Sequence, residues 1–450
     1  MQVDPACRTT VSLRTKISGV LCVLLIWAWA PPVEASGFSL GRFGGIYGHS
    51  NASGGLALYW NAARIGSGEA GAFLMIDASL VLRRASYDRV VLDSNPLAGA
   101  PGVQEWNTGE ATTSTTAVLP MLSLGGAHDV SGSRLGWAVG VYPAYGGSVV
   151  WDKALDADSQ YPGAVDGPQR WSAISSAFLV LQPTVGLSWR FGDSGVSVGA
   201  TVSYVDGHLE SSRARNLSRE EGLVFDDGAI QEGRVWLRTN DSGWSGTLAI
   251  SVERDAWIWS AQYRSGYELR MDGVLRQAFA TQTPSDVASH VDANFPHILQ
   301  TSFTAMIRDV ELTGSLDFSR WSTLRSTDLY SNASPAELLL YTPRFARDTL
   351  SARIFVGWQM SPRLQLAGQV GVDPSAIPER ANEPGLSDAL KFPVGGGLHW
   401  NASDTWDLRL SYVRDFYVPV EVRNSVHEPP SNGRYEDARR FLTLSVEARI

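Results

Sequence analysis

Segments of about ten residues in which apolar and polar side chains alternate recur in pairs along this chain. Between residues 179 and 190, Leu181, Val185 and Leu187 alternate with polar side chains, and a return segment follows the turn at 192–195. This period of two predicts β-strands that have one face in an apolar medium and the other in water. The short turn predicts that the two strands form a hairpin.

Three further pairs repeat this layout over residues 244–263, 352–372 and 394–412, and each pair closes through a short turn. Most of the predicted strands run about nine to twelve residues, which is enough to cross a bilayer when tilted, whereas strands of soluble proteins centre near five or six. Short turns on one side and long loops on the other are typical of an outer-membrane barrel. Long polar loops are expected over residues 206–234, 264–296, 373–391 and 415–437.

Alternation alone would also fit a soluble β-sandwich. The length of the strands and the position of the aromatic residues distinguish a membrane barrel from such a sandwich. Trp189, Trp257 and Trp400 lie at strand ends, where a membrane barrel carries its interfacial girdles. Fourteen strands are predicted between residues 70 and 450, and an even number suits closure. The expected fold class is therefore all-β, a 14-stranded antiparallel transmembrane β-barrel.

The first 35 residues have the layout of a cleaved secretory signal, with basic residues, an apolar run over 17–30 and small residues before a cut after Ala35. The run is shorter than the ~18 residues of a spanning helix. A retained N-terminal anchor is the alternative. Cleavage would remove Cys7 and Cys22, the two cysteines of the chain, and would exclude disulfide and thiolate chemistry from the remainder.

Residues 36–68, between this signal and the first predicted strand, are rich in glycine and show no sustained period of two or of 3.6. Glycines permit backbone shapes and rearrangements that are closed to other residues. A segment of this kind ahead of a closed barrel predicts a plug in the lumen. The expected domains are a signal peptide over 1–35, an N-terminal hatch over 36–68 and a transmembrane barrel over 69–450.

Short motifs, each weak alone, follow one another along the chain: Gly37-Phe38, Trp60-Asn61-Ala62-Ala63, Gly136-Trp137, Pro143 with Tyr145 and Gly146-Gly147, Tyr263-Arg264-Ser265, Phe295-Pro296, Trp321-Ser322, Asp373-Pro374-Ser375 and Gly433-Arg434-Tyr435. In this order they resemble the outer-membrane long-chain fatty acid and aromatic hydrocarbon transporter family (FadL-type). That family is known as 14-stranded barrels, occluded by an N-terminal hatch, that carry hydrophobic compounds inward. The resemblance implies a monomer without enzymatic activity or cofactor, whose partners are outer-membrane lipid and a hydrophobic small molecule.

The resemblance also assigns roles in the hatch. Phe38 stands where the family has a phenylalanine close to the bound ligand, and Leu40 and Phe43 follow it in the same opening. The alternative is that the phenylalanines only fill the barrel core beneath a static plug. Asn61, Ala62 and Ala63 stand where the family has Asn-Pro-Ala, and the alanine in place of proline frees φ and restores a backbone donor.

Pro143, Gly146 and Gly147 interrupt an otherwise regular strand pattern. Proline cannot donate to a ladder and glycine weakens a strand, so a kink or bulge is predicted here. In the family, such a kink in the third strand opens the wall sideways beside the hatch, and the resemblance implies a lateral gate at these residues. An ordinary bulge at the barrel rim is the alternative.

The long loops near 211–234 and 271–296 carry apolar side chains that the resemblance assigns to an external capture groove for the ligand. Singly exposed apolar residues are common on protein surfaces, so the groove is an expectation from position rather than from pattern. Its candidate residues are Leu223, Val224, Phe225, Leu275 and Phe279.

Two other functions stay open at this stage. An outer-membrane lipid-acting hydrolase would need a serine nucleophile, but Gly195–Gly199 places G-x-S-x-G inside a predicted strand rather than in a strand–turn–helix. A nonspecific porin would have a polar lumen without the hatch. The scattered histidines show no metal-site spacing, and the net charge of −9 argues against a nucleic-acid partner.

Overall fold

The wall of the molecule is a single antiparallel sheet that closes on itself, as predicted from the alternating segments. The computed structural model describes residues 42–68, 70–93, 95, 98–99, 103–154, 162–216, 221–222, 231–279 and 282–450. Within these residues fourteen strands form the wall: β1 (Gly71–Arg89), β2 (Gly109–Val130), β3 (Ser133–Val150), β4 (Ser175–Arg190), β5 (Val196–Arg215), β6 (Gly233–Arg254), β7 (Trp257–Arg264 and Tyr267–Ala278), β8 (Ser285–Phe295 and Ile298–Ile307), β9 (Val310–Ser319), β10 (Thr349–Ser361), β11 (Leu364–Val372), β12 (Lys391–Asn401), β13 (Trp406–Tyr417) and β14 (Gly433–Arg449).

Each strand pairs with its neighbours in chain order, and the last strand closes the wall against the first. The closing ladder between β1 and β14 runs from Phe73 opposite Arg449 to Arg89 opposite Gly433. Strands β7 and β8 are each built of two segments, and the segments pair in register with one another. Closure gives every strand a neighbour on both sides, as a β-structure that crosses a membrane requires.

The two faces of the wall are inverted relative to a soluble protein. On β14, Leu442 and Leu444 point outward and are 44% and 46% exposed, whereas Thr443 and Ser445, which point inward, are each 1% exposed. The same alternation recurs on the other strands and produces an apolar band around the outside. Such an apolar band is favourable only in contact with lipid. The lipid therefore determines which of two successive residues along a strand faces outward.

Hydroxyl groups on the inner face of the wall bond to one another across neighbouring strands. Ser260 donates to Ser251 at 2.9 Å, and the hydroxyls of Thr201 and Thr247 lie 2.7 Å apart. Because the interior is closed to bulk water, each of these polar groups would cost free energy if it had no partner. Further pairs of this kind are Ser79 with Thr443, Thr184 with Ser203, Ser302 with Ser315, and Thr304 with Thr313.

The connections are unequal at the two ends of the wall, which confirms the predicted asymmetry. Residues 131–132, 255–256, 308–309 and 362–363 form tight turns at one end. At the other end the connections are long, and the expected loop over 264–296 is wrong in its extent. Most of it continues the wall as the outer segments of β7 and β8, which pair from Tyr267 opposite Phe295 to Gln277 opposite Ser285.

Little regular structure lies outside the wall in the described part of the chain. No helix there is long and apolar enough to cross a membrane. The short elements are the α-helices Ala57–Trp60 and Val103–Asn107, the 3₁₀ turns Gly45–Tyr47, Gly54–Leu56, Ala62–Arg64, Pro162–Asp166, Pro168–Trp171, Gly192–Ser194, Trp321–Thr323 and Glu379–Ala381, and the short strands Leu329–Ser331, Leu338–Leu340 and Val420–Val422.

Candidate functional site: the filled lumen, the wall gap and the cavity

Residues 42–68, called here the luminal segment, lie inside the barrel against its inner face. Most of their side chains are buried, and Phe43 and Asn61 are completely inaccessible. The fit is close enough to dictate residue type at Gly45, whose φ is +55°. A Cβ atom there would fall 1.8 Å from the Ser411 hydroxyl on the wall, so the close approach of backbone to wall requires glycine.

Two inward-facing carboxylates anchor the backbone of the luminal segment. Gly44 donates its N–H to Asp77 Oδ2 on β1 at 2.9 Å, and Gly55 donates to Glu447 Oε2 on β14 at 2.9 Å. A buried N–H group left without a partner costs about 1–3 kcal/mol, so both bonds stabilise the seated segment. The segment is therefore fastened to the strands at which the barrel closes.

In the Asn61-Ala62-Ala63 turn, Ala62 stands in place of the proline of the family motif and adds a backbone hydrogen bond. The Asn61 side chain caps the 3₁₀ turn Ala62–Arg64 by accepting the N–H of Ala63 at 2.9 Å. The N–H that alanine restores at position 62 donates to Gln262 Oε1 on β7 at 3.2 Å. A proline could not make this bond, so the substitution in the motif is matched by a partner on the wall.

An aromatic cluster joins the luminal segment to strand β3. The rings of Phe43 and Tyr59 lie 4.9 Å apart, and Tyr142 of β3 packs on both at 5.6 and 5.0 Å. Trp60 extends the cluster and donates its indole N–H to the Phe43 carbonyl at 2.8 Å. Edge-to-face packing of this kind adds about 0.5–1.5 kcal/mol per pair, so movement of the segment is coupled to this part of the wall.

The wall is interrupted beside this cluster, between β2 and β3. The ladder of these two strands begins at Val130 opposite Ser133 and stops at Leu122 opposite Val141. Among the described residues, no ladder pair of β2 and β3 lies farther out. A bond from Asp152 N–H to the Thr112 carbonyl, at 2.9 Å, rejoins the two sides near the outer end. The stretch between is called here the β2–β3 gap.

Two prolines face one another at the start of this gap. Continuing the ladder beyond Leu122 and Val141 would place Pro120 of β2 opposite Pro143 of β3, and neither proline can donate a ladder bond. Pro143 also precedes a bulge, because it pairs with Leu181 while Tyr145 pairs with Val180. The predicted kink is therefore present. Pro120 was missed, although a proline inside a predicted strand was the signal that could have found it.

The kinked stretch of β3 does not alternate between faces as the rest of the wall does. Every residue from Tyr142 to Val149 is buried, including Pro143, Gly146 and Gly147. A strand that kept its place in the wall would expose every second side chain to the outside. Continuous burial means that this stretch is covered on both faces, so it lies inward of the neighbouring strands.

A cavity of about 200 Å³ lies above the luminal segment and borders the kinked strand at residues 147–149. Phe295 connects the cavity to the kink, since its ring stacks on Phe178 and packs against Tyr145 at 5.0 Å. A concave apolar space of this kind is the usual setting of a small-molecule site. Its other apolar lining residues include Leu209, Leu237, Met271, Leu275, Val291, Trp321 and Leu324.

One end of the cavity is cationic. Arg213 and Arg344 both line it, together with Glu383. Arg344 and Glu383 form an ion pair with 2.6 Å between Nη1 and Oε1. No hydrogen bond or ion pair engages Arg213 in the part of the chain that the structure describes, and the carboxylate that acts on it electrostatically is the same Glu383. Two guanidinium groups thus share a single carboxylate at the edge of an apolar space.

Two of the five residues predicted for an external groove are buried inside the barrel. Leu275 lies on the outer segment of β7, is 2% exposed and points into the cavity, and Phe279 is buried against Leu275 and Val235. Their placement in an exposed loop was wrong, because the apolar period of two continues beyond the lipid band. Leu223, Val224 and Phe225 lie outside the described residues, as do Phe38 and Leu40 of the predicted hatch.

The serine that the sequence offered for a hydrolase is not placed as a nucleophile. Ser197, the serine of the G-x-S-x-G sequence, lies inside β5 opposite Arg190 and is buried, so it is not on a nucleophile elbow. No group of three or more histidine, cysteine, aspartate or glutamate side chains in the described ranges is placed to hold a metal ion.

Solved barrels share this architecture over most of their length. A Pseudomonas aeruginosa FadL homologue superposes with a TM-score of 0.71 at 14% identity, covering 93% of this chain and 99% of that one. The P. putida toluene transporter TodX gives a TM-score of 0.66 at 16% identity, with the same coverages. The Ralstonia pickettii toluene transporter TbuX gives 0.60 at 11% identity, covering 88% and 94%.

At these identities the likeness shows the fold. No protein-family model matches the chain, and no curated protein matches it in sequence. The architecture of the closed wall is therefore shared with these solved barrels.

Proposed function

We propose that this chain is a monomeric outer-membrane transporter that takes up hydrophobic compounds into its cavity and releases them sideways through the β2–β3 gap. The observation that carries the proposal is the gap, which adjoins both an apolar cavity and the aromatic cluster of the luminal segment. An apolar solute gains about 0.8 kcal/mol for each methylene that it buries in such a cavity. Water in an open pore would offer no such gain.

In this proposal residues 1–35 are a signal peptide that is removed, 36–68 are the hatch and 69–450 are the barrel. Phe43, Asn61, Ala62 and Ala63 hold the hatch in place, as their contacts with the wall support, and Phe38 and Leu40 reach toward the ligand. Tight binding in the cavity must be disrupted for release. Movement of the hatch, transmitted through Phe43 and Tyr59 to Tyr142, would supply that disruption.

The cavity favours a ligand that combines an apolar body with an anionic head. Arg213 is charged at every physiological pH and has no ion pair of its own in the described residues, so it is positioned to accept a carboxylate. TodX and TbuX are toluene transporters, and toluene has no such head. Of the two ligand classes considered from the sequence, a long-chain fatty acid therefore fits this cavity better than a neutral aromatic hydrocarbon.

Uptake of radiolabelled oleate by cells that display the full chain tests the proposal. Cells with the chain are expected to accumulate label several-fold faster than cells with an empty vector. Deleting residues 36–42 at equal surface expression is expected to slow uptake, because it removes the part of the hatch proposed to meet the ligand. Equal accumulation with and without the chain would rule out the proposed function.

Planar-bilayer recording separates this function from that of a nonspecific porin. A lumen filled by the luminal segment is expected to give little steady current. Large steady currents from the intact chain would instead favour a porin. Release of fatty acid from a phospholipid or a p-nitrophenyl ester would favour the hydrolase.

A further inference from the structure

The wall is interrupted a second time, between β6 and β7. The inner ladder of these strands runs from Arg254 opposite Trp257 to Thr247 opposite Arg264. Pairing resumes only at Asn240 opposite Asp272. The intervening residues 241–246 and 265–271 have no ladder pair with one another, and all of them lie in the described part of the chain. This stretch is called here the β6–β7 break.

Hydrogen bonds hold the two edges of the break. At the inner edge, the N–H of Ser265 donates to the Gly246 carbonyl at 2.9 Å, Ser265 Oγ accepts the N–H of Gly246 at 3.0 Å, and the hydroxyls of Ser245 and Ser265 lie 3.4 Å apart. At the outer edge, Asp241 Oδ2 accepts the N–H of Arg270 at 2.8 Å. Between these edges no described hydrogen bond crosses the break, so little has to be broken for the two strands to separate there.

Leu269 covers two glycines on the inner side of the break. Leu269 of β7 lies across the bare backbone of two glycines, since a Cβ atom on Gly207 or Gly243 would fall 2.6 or 3.3 Å from its methyl groups. On either side of it along the strand, Met271 lines the cavity and Tyr267 stacks on Phe295, another cavity residue, at 4.5 Å. Leu269 therefore lies between the break and the cavity.

The outer side of the break lies at the upper limit of the apolar band. The rings of Tyr204 and Trp244 pack edge to face at 5.4 Å, and Trp244 is 67% exposed on the outer surface. The next outward residues toward the outer end are polar or charged, among them Asp206 and His208. Aromatic residues in this position mark the boundary between lipid and headgroups. The break thus meets the outer leaflet.

We propose that the β6–β7 break is a second lateral passage, through which an acyl chain dissolved in the outer leaflet enters the cavity without crossing the kinked strand. The inference rests on the proposed function and adds an entrance to it. Displacement of Leu269 opens the passage, and its return over Gly207 and Gly243 closes it. The β2–β3 gap, which contacts the luminal segment, is then left for release.

Paired cysteines test the passage directly. Cys7 and Cys22 are the only cysteines of the sequence, and both leave with the proposed signal peptide, so cysteine pairs engineered into the barrel then meet no competing thiol. Ser245→Cys with Ser265→Cys would tie the strands together at the inner edge of the break. Ser251→Cys with Ser260→Cys is the matched control, because it joins the same two strands where the ladder is intact and the two hydroxyls lie 2.9 Å apart.

Oxidising the Ser245→Cys/Ser265→Cys protein is expected to slow entry of radiolabelled oleate at least fourfold, and a thiol reductant is expected to restore it. The oxidised control is expected to match wild type. Equal rates for both oxidised pairs, with normal uptake by wild type, would overturn the passage and leave the proposed function standing. Absence of uptake by wild type itself would instead overturn the proposed function.

A labelling experiment tests the passage through the β6–β7 break without relying on transport or on disulfide formation. Leu269→Cys is expected to react several-fold faster than Leu275→Cys with a dodecyl maleimide dissolved in the membrane. Both side chains point inward from β7, but Leu275 lies where β7 is paired with β6. Equal or slower labelling at position 269 would contradict a passage through the break.

Discussion

At the scale of single residues, the β2–β3 gap depends on two prolines that are far apart in the sequence. Pro120 and Pro143 would face each other if the ladder continued, and each lacks the donor that a ladder needs. The effect of Pro143 could be predicted because glycines follow it in a regular strand pattern. Its pairing with Pro120 could not, because the register between two strands follows from the closed wall rather than from local sequence.

Replacing Pro120 and Pro143 together by valine is expected to extend the β2–β3 ladder and slow oleate uptake several-fold. Two donors are restored at the point where the strands separate, and each new backbone bond contributes about 0.5–1.5 kcal/mol. Pro183→Val is the control, since this proline of β4 lies opposite Val141 in an intact ladder with β3 and interrupts pairing only toward β5, away from the β2–β3 gap. Uptake that is unchanged in the double variant would show that the prolines do not keep the gap open.

Arg213→Gln is expected to weaken fatty-acid binding about tenfold or more, because a hydrogen bond to a charged group is worth about 1.5–3 kcal/mol. Displacement of a fluorescent fatty acid from the purified protein measures the change. Binding of a neutral hydrocarbon of the same length should be nearly unaffected. Arg238→Gln provides the control, since Arg238 is exposed on the outer surface and pairs with Glu210. An equal loss for acid and hydrocarbon would contradict a headgroup role for Arg213.

At the scale of elements, the strands within the lipid band are the part most readily predicted from sequence. There the two sides of the wall meet different solvents, so each residue of a strand such as β14 is assigned to a face. Beyond the band the outer face meets water, so the alternation reverses: in the outer segment of β7, Leu269, Met271 and Leu275 are buried and the charged residues between them are exposed. The outer segments of β7 and β8 were missed because a charged outer face resembles a polar loop, and Leu275 was assigned to a loop in consequence.

The luminal segment is expected to loosen when its two carboxylate anchors are removed. Asp77→Ala with Glu447→Ala leaves the N–H groups of Gly44 and Gly55 without acceptors, at a cost of about 1–3 kcal/mol each. Larger steady currents in planar bilayers would report the loosening. Glu436→Ala is the control, because this exposed residue of β14 pairs only locally with Arg434. Currents that remain at the wild-type level would show that other contacts hold the segment.

At the scale of the whole molecule, charged pairs between segments distant in sequence tie the outer connections together. Glu383 lies close to both Arg344 and His427, with 4.0 Å between its Oε2 and His427 Nδ1. His427 Nε2 also lies 3.0 Å from the Ala381 carbonyl. No local pattern in the sequence predicts such pairs, because each partner taken alone is an ordinary charged residue of a loop.

The outer connections are expected to lose protection as the pH falls below about 6.5. Burial, reinforced by Arg344, lowers the pKa of His427 although Glu383 acts to raise it. The folded state thus prefers neutral histidine, so protonation below the ordinary value of about 6.5 costs stability. Burial acts to raise the pKa of Glu383, but Arg344 more than offsets it and the net shift is downward. Protonation of Glu383 therefore causes no further loss of stability until the pH approaches 4.5, the ordinary pKa of a glutamate carboxyl.

Hydrogen exchange of residues 423–432 at about pH 7.5 and pH 5 measures this effect. His427→Gln is the control, because its amide can still donate to Ala381 and does not titrate. Exchange corrected for intrinsic rates should rise on acidification in wild type and stay level in the variant. A rise of equal size in both would place the pH response elsewhere.

The paired hydroxyls of the inner wall bear on what happens when the luminal segment moves. If a plug supplied the hydrogen-bond partners of all the polar groups on the inner wall, its withdrawal would leave those groups unpaired. The free-energy cost of the unpaired groups would hold the plug in place. Here Ser251 with Ser260 and Thr201 with Thr247 keep each other satisfied whether or not the segment is present. Withdrawal of the segment would therefore cost hydrogen bonds chiefly at the wall groups that bond to it, such as Asp77, Glu447 and Gln262, while the hydroxyl pairs between strands keep the wall itself intact.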